Sequence, residues 1–526
     1  MTDSARLRET PRGLIVYLIL TAIVCGGLVM VIEVLGSRVV GPFFGVSLFV
    51  WTSLITVTLV ALALGYAIGG TLSDKKSDPD YLYGIILLAG ALTLLIPSLR
   101  GPVLKACISL DLRLGAFASS AILFGPSLFL LGCVSPYIIK IAAREMKNIG
   151  RTVGIFYAFS TAGSFIGTVL TGFVFIAYFR VGRIFEFIGV SLILLSVIYF
   201  VFLRRKWYFL AVLCFPLLFT YVPGNVQKTM PNGTKVRMVF SADSFYGNLK
   251  VVDYSYADRA TRELMIDGFV QSGIERKSGM SVYEYPYFMN FLPYGMNPSG
   301  KDCLVIGLGA GIIPMWYEQR GIRTEVVDID PKVADIAKEF FGFKIKGDVV
   351  ISDARYYLEV SEKKFDFIIV DVFNGDTTPG HLLSLEAFRL LRERTTAKGI
   401  VAFNLSSSLR DQPFMLASII KSLKKVFTIV KLYPSGLDEA GNGNVAVLAY
   451  NDSSLSFNPD LIKDFPVHPM ADDVVRRFMG REIAVPENTP AIILTDDYNP
   501  IDFFDLKIKE AIRKNIIKTT DWDVLI

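Results

Sequence analysis

Residues 303–330 read CLVIGLGAGIIPMWYEQRGIRTEVVDID, and this stretch decides the fold of the C-terminal part of the chain. Cys303-Leu304-Val305-Ile306 predicts a strand buried on both faces, because a short unbroken apolar run has no side left for water. Gly307-Leu308-Gly309-Ala310-Gly311 then predicts a tight turn whose backbone approaches a ligand with no Cβ in the way. Residues 312–320 predict a helix, 324–327 a second strand, and Asp328-Ile329-Asp330-Pro331 its end. The pattern repeats downstream. A helix is expected over 332–341, a strand over 349–351 leading to Ser352-Asp353-Ala354, and a strand over 367–370 leading to Asp371. Strands alternating with helices predict a parallel sheet covered on both faces, an α/β Rossmann-type domain.

In such sheets ligands bind outside the carboxyl ends of the strands. Asp328, ending the second strand, is placed to accept hydrogen bonds from both hydroxyls of a ribose. Asp353 with Ala354, ending the third, is placed at the edge of an adenine. The spacing Gly307…Asp328…Asp353…Asp371, each after an apolar strand, says more than the glycines alone. A nicotinamide dinucleotide competes for this reading, since Asp328 lies 17 residues beyond Gly311. The additional acid at Asp353 and the short Gly-x-Gly-x-Gly turn suit an adenosyl sulfonium better.

Upstream, residues 224–298 show short alternating runs and turn residues, Asp267-Gly268 among them, and predict a small β-hairpin domain. Residues 299–526 are assigned to the adenosyl-binding domain and its C-terminal extension. Residues 1–223 differ in texture. Mean hydropathy for the whole chain is +0.47 and 52% of residues are hydrophobic, values that call for a membrane-embedded part. Apolar runs long enough to cross a bilayer occur at 14–35, 46–71, 82–99, 117–139, 153–179 and 184–203. A shorter run, 207–222, carries Pro216, so six to eight spans of an α-helical transmembrane bundle are expected. Gly65, Gly69, Gly70, Gly163 and Gly167 suit close helix packing. Basic residues concentrate on the side that holds Arg6, Arg8 and Arg12, which puts that side in the cytoplasm. A net charge of +5 over 526 residues argues against a nucleic-acid partner. With only His381 and His468 as histidines, and cysteines in no paired spacing, no metal site is expected.

The soluble half resembles the spermidine synthases, the polyamine aminopropyltransferases with a methyltransferase-like fold. The resemblance lies in Ser244-Phe245-Tyr246-Gly247, Asp267-Gly268-Phe269-Val270-Gln271, the glycine turn, Asp353-Ala354, residues 365–371 and Gly380-His381-Leu382-Leu383 through Phe388. Residues 1–223 resemble a multi-pass, major-facilitator-like module fused to some bacterial members. The resemblance implies aminopropyl transfer from decarboxylated S-adenosylmethionine to a polyamine acceptor such as putrescine, yielding spermidine and methylthioadenosine. It implies Asp371 as the base and Tyr246 as the residue orienting the amine. Gln271, Gly307, Gly309, Gly311, Asp328, Asp353 and Ala354 would hold the nucleoside. It also implies a homodimer. Six spans from a cytoplasmic N-terminus leave the catalytic domain of an inner-membrane protein in the cytoplasm, where its cofactor is made, whereas seven would leave it outside; the cytoplasmic placement is expected.

Three departures bear on specificity. Ala310 stands where the family carries an acid that grips the aminopropyl ammonium. Tyr283-Glu284-Tyr285 replaces Tyr-His-Glu, and the segment after Asp371 runs Val372-Phe373-Asn374-Gly375-Asp376. Glu284, Asp376, Asp496 and Asp497 are the acids available to bind amine instead. A methyltransferase using intact S-adenosylmethionine, and a polyamine transporter or sensor with a non-catalytic domain, remain alternative readings.

Overall fold

In this computed structural model the chain is described over residues 12–45, 48–143, 149–219, 227–373, 379–410, 413–437 and 441–501, with Arg513, Thr520 and Val524 beyond them. It forms two compact units, Met1–Gly224 and Asn225–Leu525.

The first unit is helical: α1 (Arg12–Phe44), α2 (Leu48–Lys75), α3 (Pro79–Cys107), α4 (Leu112–Leu123), α5 (Gly125–Ala143), α6 (Ile149–Tyr178) and α7 (Val181–Leu203). Among the described residues, six of these are long and apolar enough to cross a membrane. The exception is α4. Its 12 residues rise about 18 Å, short of a hydrocarbon core of about 30 Å. The single span expected over 117–139 is in fact two helices that break at Phe124. Pro126, with no amide hydrogen to give the preceding turn, sits just inside the second. Hydropathy alone does not register that break. The run at 207 forms a 3-10 helix, Trp207–Phe219, and is not among the six.

Glycines set the closest approaches in this unit. A Cβ on Gly163 would lie 2.0 Å from the Ile23 carbonyl oxygen, and one on Gly167 2.4 Å from that of Gly27, so α1 and α6 meet backbone to backbone. Ser164 Oγ adds a hydrogen bond to the Gly26 carbonyl at 3.0 Å. Gly65 does the same between α2 and α5, where an added Cβ would lie 2.4 Å from the Phe129 carbonyl oxygen. Small residues permit this close contact.

In the second unit β1 (Gln227–Thr229), β2 (Lys235–Asp243), β3 (Asn248–Tyr256), β4 (Arg259–Ile266) and β5 (Phe269–Glu275) form an antiparallel meander in chain order. Its last turn is Asp267-Gly268, with φ of 48° and 79°, the doubly positive geometry of a two-residue hairpin. Helix α8 (Tyr285–Met296) leads into the larger sheet. There β6 (Asp302–Ile306), β7 (Arg323–Asp328), β8 (Val349–Ile351), β9 (Phe365–Val370) and β10 (Thr395–Ser408) run parallel. The last two strands, β11 (Ile429–Leu437) and β12 (Asn442–Tyr450), close the order β11-β12-β10-β9-β6-β7-β8, with β12 antiparallel to both neighbours. Helices α9 (Ile312–Gln319), α10 (Pro331–Phe341), α11 (Ala354–Val360), α12 (Leu385–Glu393) and α13 (Phe414–Leu423) connect the strands.

Alternation along each strand feeds two cores. Cys303 and Val305 of β6 join Phe288 and Phe291 of α8 on one face, while Leu304 and Ile306 join Phe388 and Leu416 on the other. The meander contributes Leu249, Val251 and Leu264 to the first of these cores. The meander and α8 therefore share one core with the sheet, and the sequence-based border at 298/299 falls inside a single compact unit.

Candidate active site

Parallel pairing brings the C-terminal ends of five strands to one edge. Ile306 pairs with Val370 and Phe403 with Val370, so Gly307, Asp371 and Asn404 follow each other across β6, β9 and β10. On the other flank Asp328 pairs with Ile351, which puts Asp353 just beyond. The residues singled out by their spacing in the sequence thus meet along one edge.

The glycine turn begins at Gly307, with φ of +92°, and a Cβ there would sit 2.1 Å from the Asp371 carbonyl oxygen. Its amides are largely committed. Gly307 N–H donates to the Val327 carbonyl at 2.8 Å and Gly311 N–H to that of Leu308 at 2.8 Å. Leu308 N–H donates to Asp328 Oδ2 at 2.8 Å and Ala310 N–H to Ser272 Oγ at 3.4 Å. A pyrophosphate needs such amides free, so this turn is poorly suited to a dinucleotide.

Asp328 also accepts the Asp330 amide through Oδ1 at 2.8 Å. Burial outweighs these bonds and pushes its carboxyl up to about 6. Asp353 caps α11 by accepting the Tyr356 amide at 3.0 Å, and its other oxygen lies 3.1 Å from His381 Nε2. Ala354, buried, is the first residue of that helix. Gln271 lies on β5 and accepts the Tyr285 hydroxyl through its carbonyl at 2.8 Å. Tyr246 is presented by a loop that Ser244 Oγ ties down, accepting the amides of Tyr246 and Gly247 at 3.0 and 3.1 Å. Burial raises the Tyr246 hydroxyl, and the carboxylates of Asp330, Asp353 and Asp328 add to the effect. Tyr246 therefore stands on the Asp328–Asp353 flank.

Asp371 accepts a hydrogen bond from Asn404 Nδ2 at 2.8 Å through Oδ1. Burial pushes its carboxyl up to about 6, with the Asn404 bond opposing. Asn404 is buried, and its own Oδ1 has no hydrogen-bond partner among the described residues. The amide's orientation follows from chemistry, since an ionised carboxylate only accepts. Tyr285, at the start of α8, feels the Asp371 charge after burial as a cause raising its hydroxyl.

The four acids expected to bind amine scatter. Glu284 precedes α8, half-buried, with its carboxyl raised by burial. It lies by β11, where a Cβ on Gly436 would come 3.9 Å from Oε2. Asp376 lies outside the described residues. Asp496 corrects the expectation. Arg355 of α11 grips both its oxygens, Nη1 to Oδ1 at 2.6 Å, and holds its carboxyl below the usual range, which commits it to the Asp353 flank rather than to Asp371. Asp497 is exposed. Residues missed by sequence reasoning are Asn404, Ser272, Tyr285 and His381. Asn404 carried one signal: it is the lone amide in the apolar run 400–405.

Residues 287–454 match the family model described as the spermine/spermidine synthase domain. An N-terminal histidine N-methyltransferase of Emericella nidulans is 31% identical over 26% of this chain and 25% of its own length. A polyamine aminopropyltransferase of Vibrio vulnificus is 30% identical over 24% of this chain and 44% of its own length. The chain thus spans less than half the length of either of these two relatives. The crystal structure of a probable spermidine synthase from Corynebacterium glutamicum is 19% identical, with a TM-score of 0.39 over 48% of this chain and 95% of that one.

Proposed function

We propose that the unit carrying the spermine/spermidine synthase domain moves an aminopropyl group from decarboxylated S-adenosylmethionine to a primary amine such as putrescine, giving spermidine and methylthioadenosine. The observation that carries this reading is Asp371: a half-buried carboxyl raised by desolvation to about 6, beside the glycine turn and fixed by Asn404. An amine of pKa about 10 is protonated at neutral pH and cannot attack, whereas a carboxyl at about 6 is ionised there and able to take its proton. The amine nitrogen then bonds to the carbon next to sulfur, the carbon–sulfur bond breaks, and its electron pair neutralises the sulfonium. Asp371 keeps the proton.

In this reading Asp328 binds the ribose hydroxyls, Asp353 with Ala354 and Gln271 complete the nucleoside site, and Tyr246 orients the incoming groups. Glu284 is the half-buried acid best placed among the described residues to receive a second ammonium. The six long helices hold the enzyme in the cell membrane, with the catalytic unit on the cytoplasmic side where its donor is made.

Full-length protein in detergent, given either decarboxylated or intact S-adenosylmethionine with putrescine, tests the proposal. Methylthioadenosine is the expected product. Adenosylhomocysteine alone would mean methyl transfer, the second reading, which the methyltransferase relative favours.

The pH profile should be steep. Asp328 and Asp371 both titrate near 6 and both are needed ionised, one for the ribose and one for the amine proton. Turnover per enzyme at low substrate should fall below pH about 6 with a slope approaching two on a logarithmic plot. A slope of one would mean that only one of them matters.

A further inference from the structure

On the Asp328–Asp353 flank, His381 is held at both ends by a single helical turn. Its ring faces Asp353, the residue that caps α11, with Nε2 3.1 Å from Oδ2. Its backbone carbonyl accepts Nη1 of Arg355, two residues further along that turn, at 3.0 Å. The rest of the segment is braced as well. Asn499 Nδ2 donates to the Gly380 carbonyl at 2.7 Å, and Arg355 also reaches Ser384 Oγ at 3.2 Å. Asp496 holds that guanidinium in place, Nη1 to Oδ1 at 2.6 Å, while its own amide donates to Glu386 Oε2 at 3.0 Å. Leu382 and Leu383, next in the chain, are buried. Residues 380–384 are thus fixed from two sides, and the His381 ring has a set direction although its side chain is 49% exposed.

The second contact matters to Asp353. The last torsion of an aspartate is broad, so the capping bond from the Tyr356 amide to Oδ1, at 3.0 Å, leaves the carboxylate plane loosely set. A donor on the other oxygen fixes the plane. An ionised carboxylate only accepts, so the imidazole nitrogen facing it carries the hydrogen. The two donors take one lone pair on each oxygen and leave the others for a ligand. Such a carboxylate welcomes an N–H, such as the exocyclic amino group of an adenine. A carbonyl at the same position, as in hypoxanthine, would set lone pair against lone pair.

We infer that His381 is a positioning residue for nucleoside recognition: its ring fixes the Asp353 carboxylate against the amino edge of the base, and Arg355, Asp496 and Asn499 hold it in register. This rests on the adenosyl reading of the site and gives residues 496–499 a role other than binding amine.

The test is equilibrium binding to full-length protein in detergent, with methylthioadenosine and 5′-methylthioinosine, in which a carbonyl replaces the amino group, as probes. Wild type should favour the adenine form by about thirtyfold or more. His381→Ala should weaken methylthioadenosine about tenfold and leave methylthioinosine within about twofold, so the preference falls to about threefold. His381→Gln, whose terminal amide reaches the place of Nε2, should bring methylthioadenosine back to within about threefold of wild type. Equal binding of the two probes by wild type overturns the inference. So does an alanine variant that weakens both probes alike, which is mere loosening, or one that binds methylthioadenosine as well as or better than wild type. A glutamine variant no better than alanine overturns it too. Absence of all nucleoside binding by wild type overturns it together with the proposed function. The expected binding pattern, without methylthioadenosine release from decarboxylated S-adenosylmethionine and putrescine, overturns aminopropyl transfer and leaves the role of His381 standing.

Discussion

Asp371→Asn should lower kcat by about a thousandfold or more, toward the upper end of what general-base catalysis contributes. The substitution keeps the shape and the acceptor for Asn404 Nδ2, and removes the ability to take a proton. Methylthioadenosine should still bind within about threefold, because the nucleoside contacts lie on the Asp328 flank. Stability should move the other way. The folded carboxyl titrates at about 6, above its unfolded value of about 3.9, so the folded state holds the proton more tightly. That preference supports folding fully below about pH 4 and is lost as pH rises through about 6. At pH 7.5 the wild type therefore bears the cost of a desolvated charge, and the asparagine variant should be more stable by about 1–3 kcal/mol. Thermal unfolding and steady-state kinetics on the same preparation check both halves. A dead enzyme that is also less stable would point to misfolding and not to a missing base.

Gly307→Ala should be severely disruptive to the second unit. Two costs coincide there. A φ of +92° is strained for any residue with a Cβ, and that Cβ would meet the Asp371 carbonyl oxygen at 2.1 Å. The oxygen is backbone, in a strand whose Asp371 amide is bonded to the Ile306 carbonyl at 2.9 Å, so it cannot simply turn away. A loss of about 3–5 kcal/mol is expected, with methylthioadenosine binding abolished. Gly321→Ala is the control. It shares a positive φ of 75° but has open space around the added carbon, so it should cost about 1–2 kcal/mol and leave binding intact. Equal losses in the two variants would show that backbone strain, not the close approach to Asp371, makes Gly307 irreplaceable.

The parts of the site that were legible in the sequence are those encoded locally. An apolar tetrad followed by glycines announces a strand and a turn, and an acid after each later strand announces where ligand groups can be met. The long apolar runs announced helices in the same way. Other features depended on residues distant in the chain. Asn404 reaches Asp371 only because β9 and β10 pair in one register, and a single-residue slip would turn it to the opposite face. Arg355 captures Asp496 across 141 residues, so a carboxylate that looked free to bind amine is already neutralised. Hydrogen bonds from Ser272 to Tyr285 and to the Ala310 amide join β5, the start of α8 and the glycine turn, three segments whose meeting no periodicity encodes. The break at Phe124 was hidden for another reason: a hydropathy window averages over Gly125-Pro126, whereas the backbone cannot.

The glycine joint between α1 and α6 also bears on the order in which the protein can be made. The surface that Gly26 and Gly27 present is complete as soon as the first helix has been synthesised, yet Gly163 and Gly167 belong to the sixth. Four helices are translated in between. Until the sixth arrives, the first carries an uncovered seam of backbone carbonyls and small residues, a surface that another small-faced helix can occupy. The joint between the first and sixth helices can therefore close only after residue 167 has been translated, late in the synthesis of the helical unit.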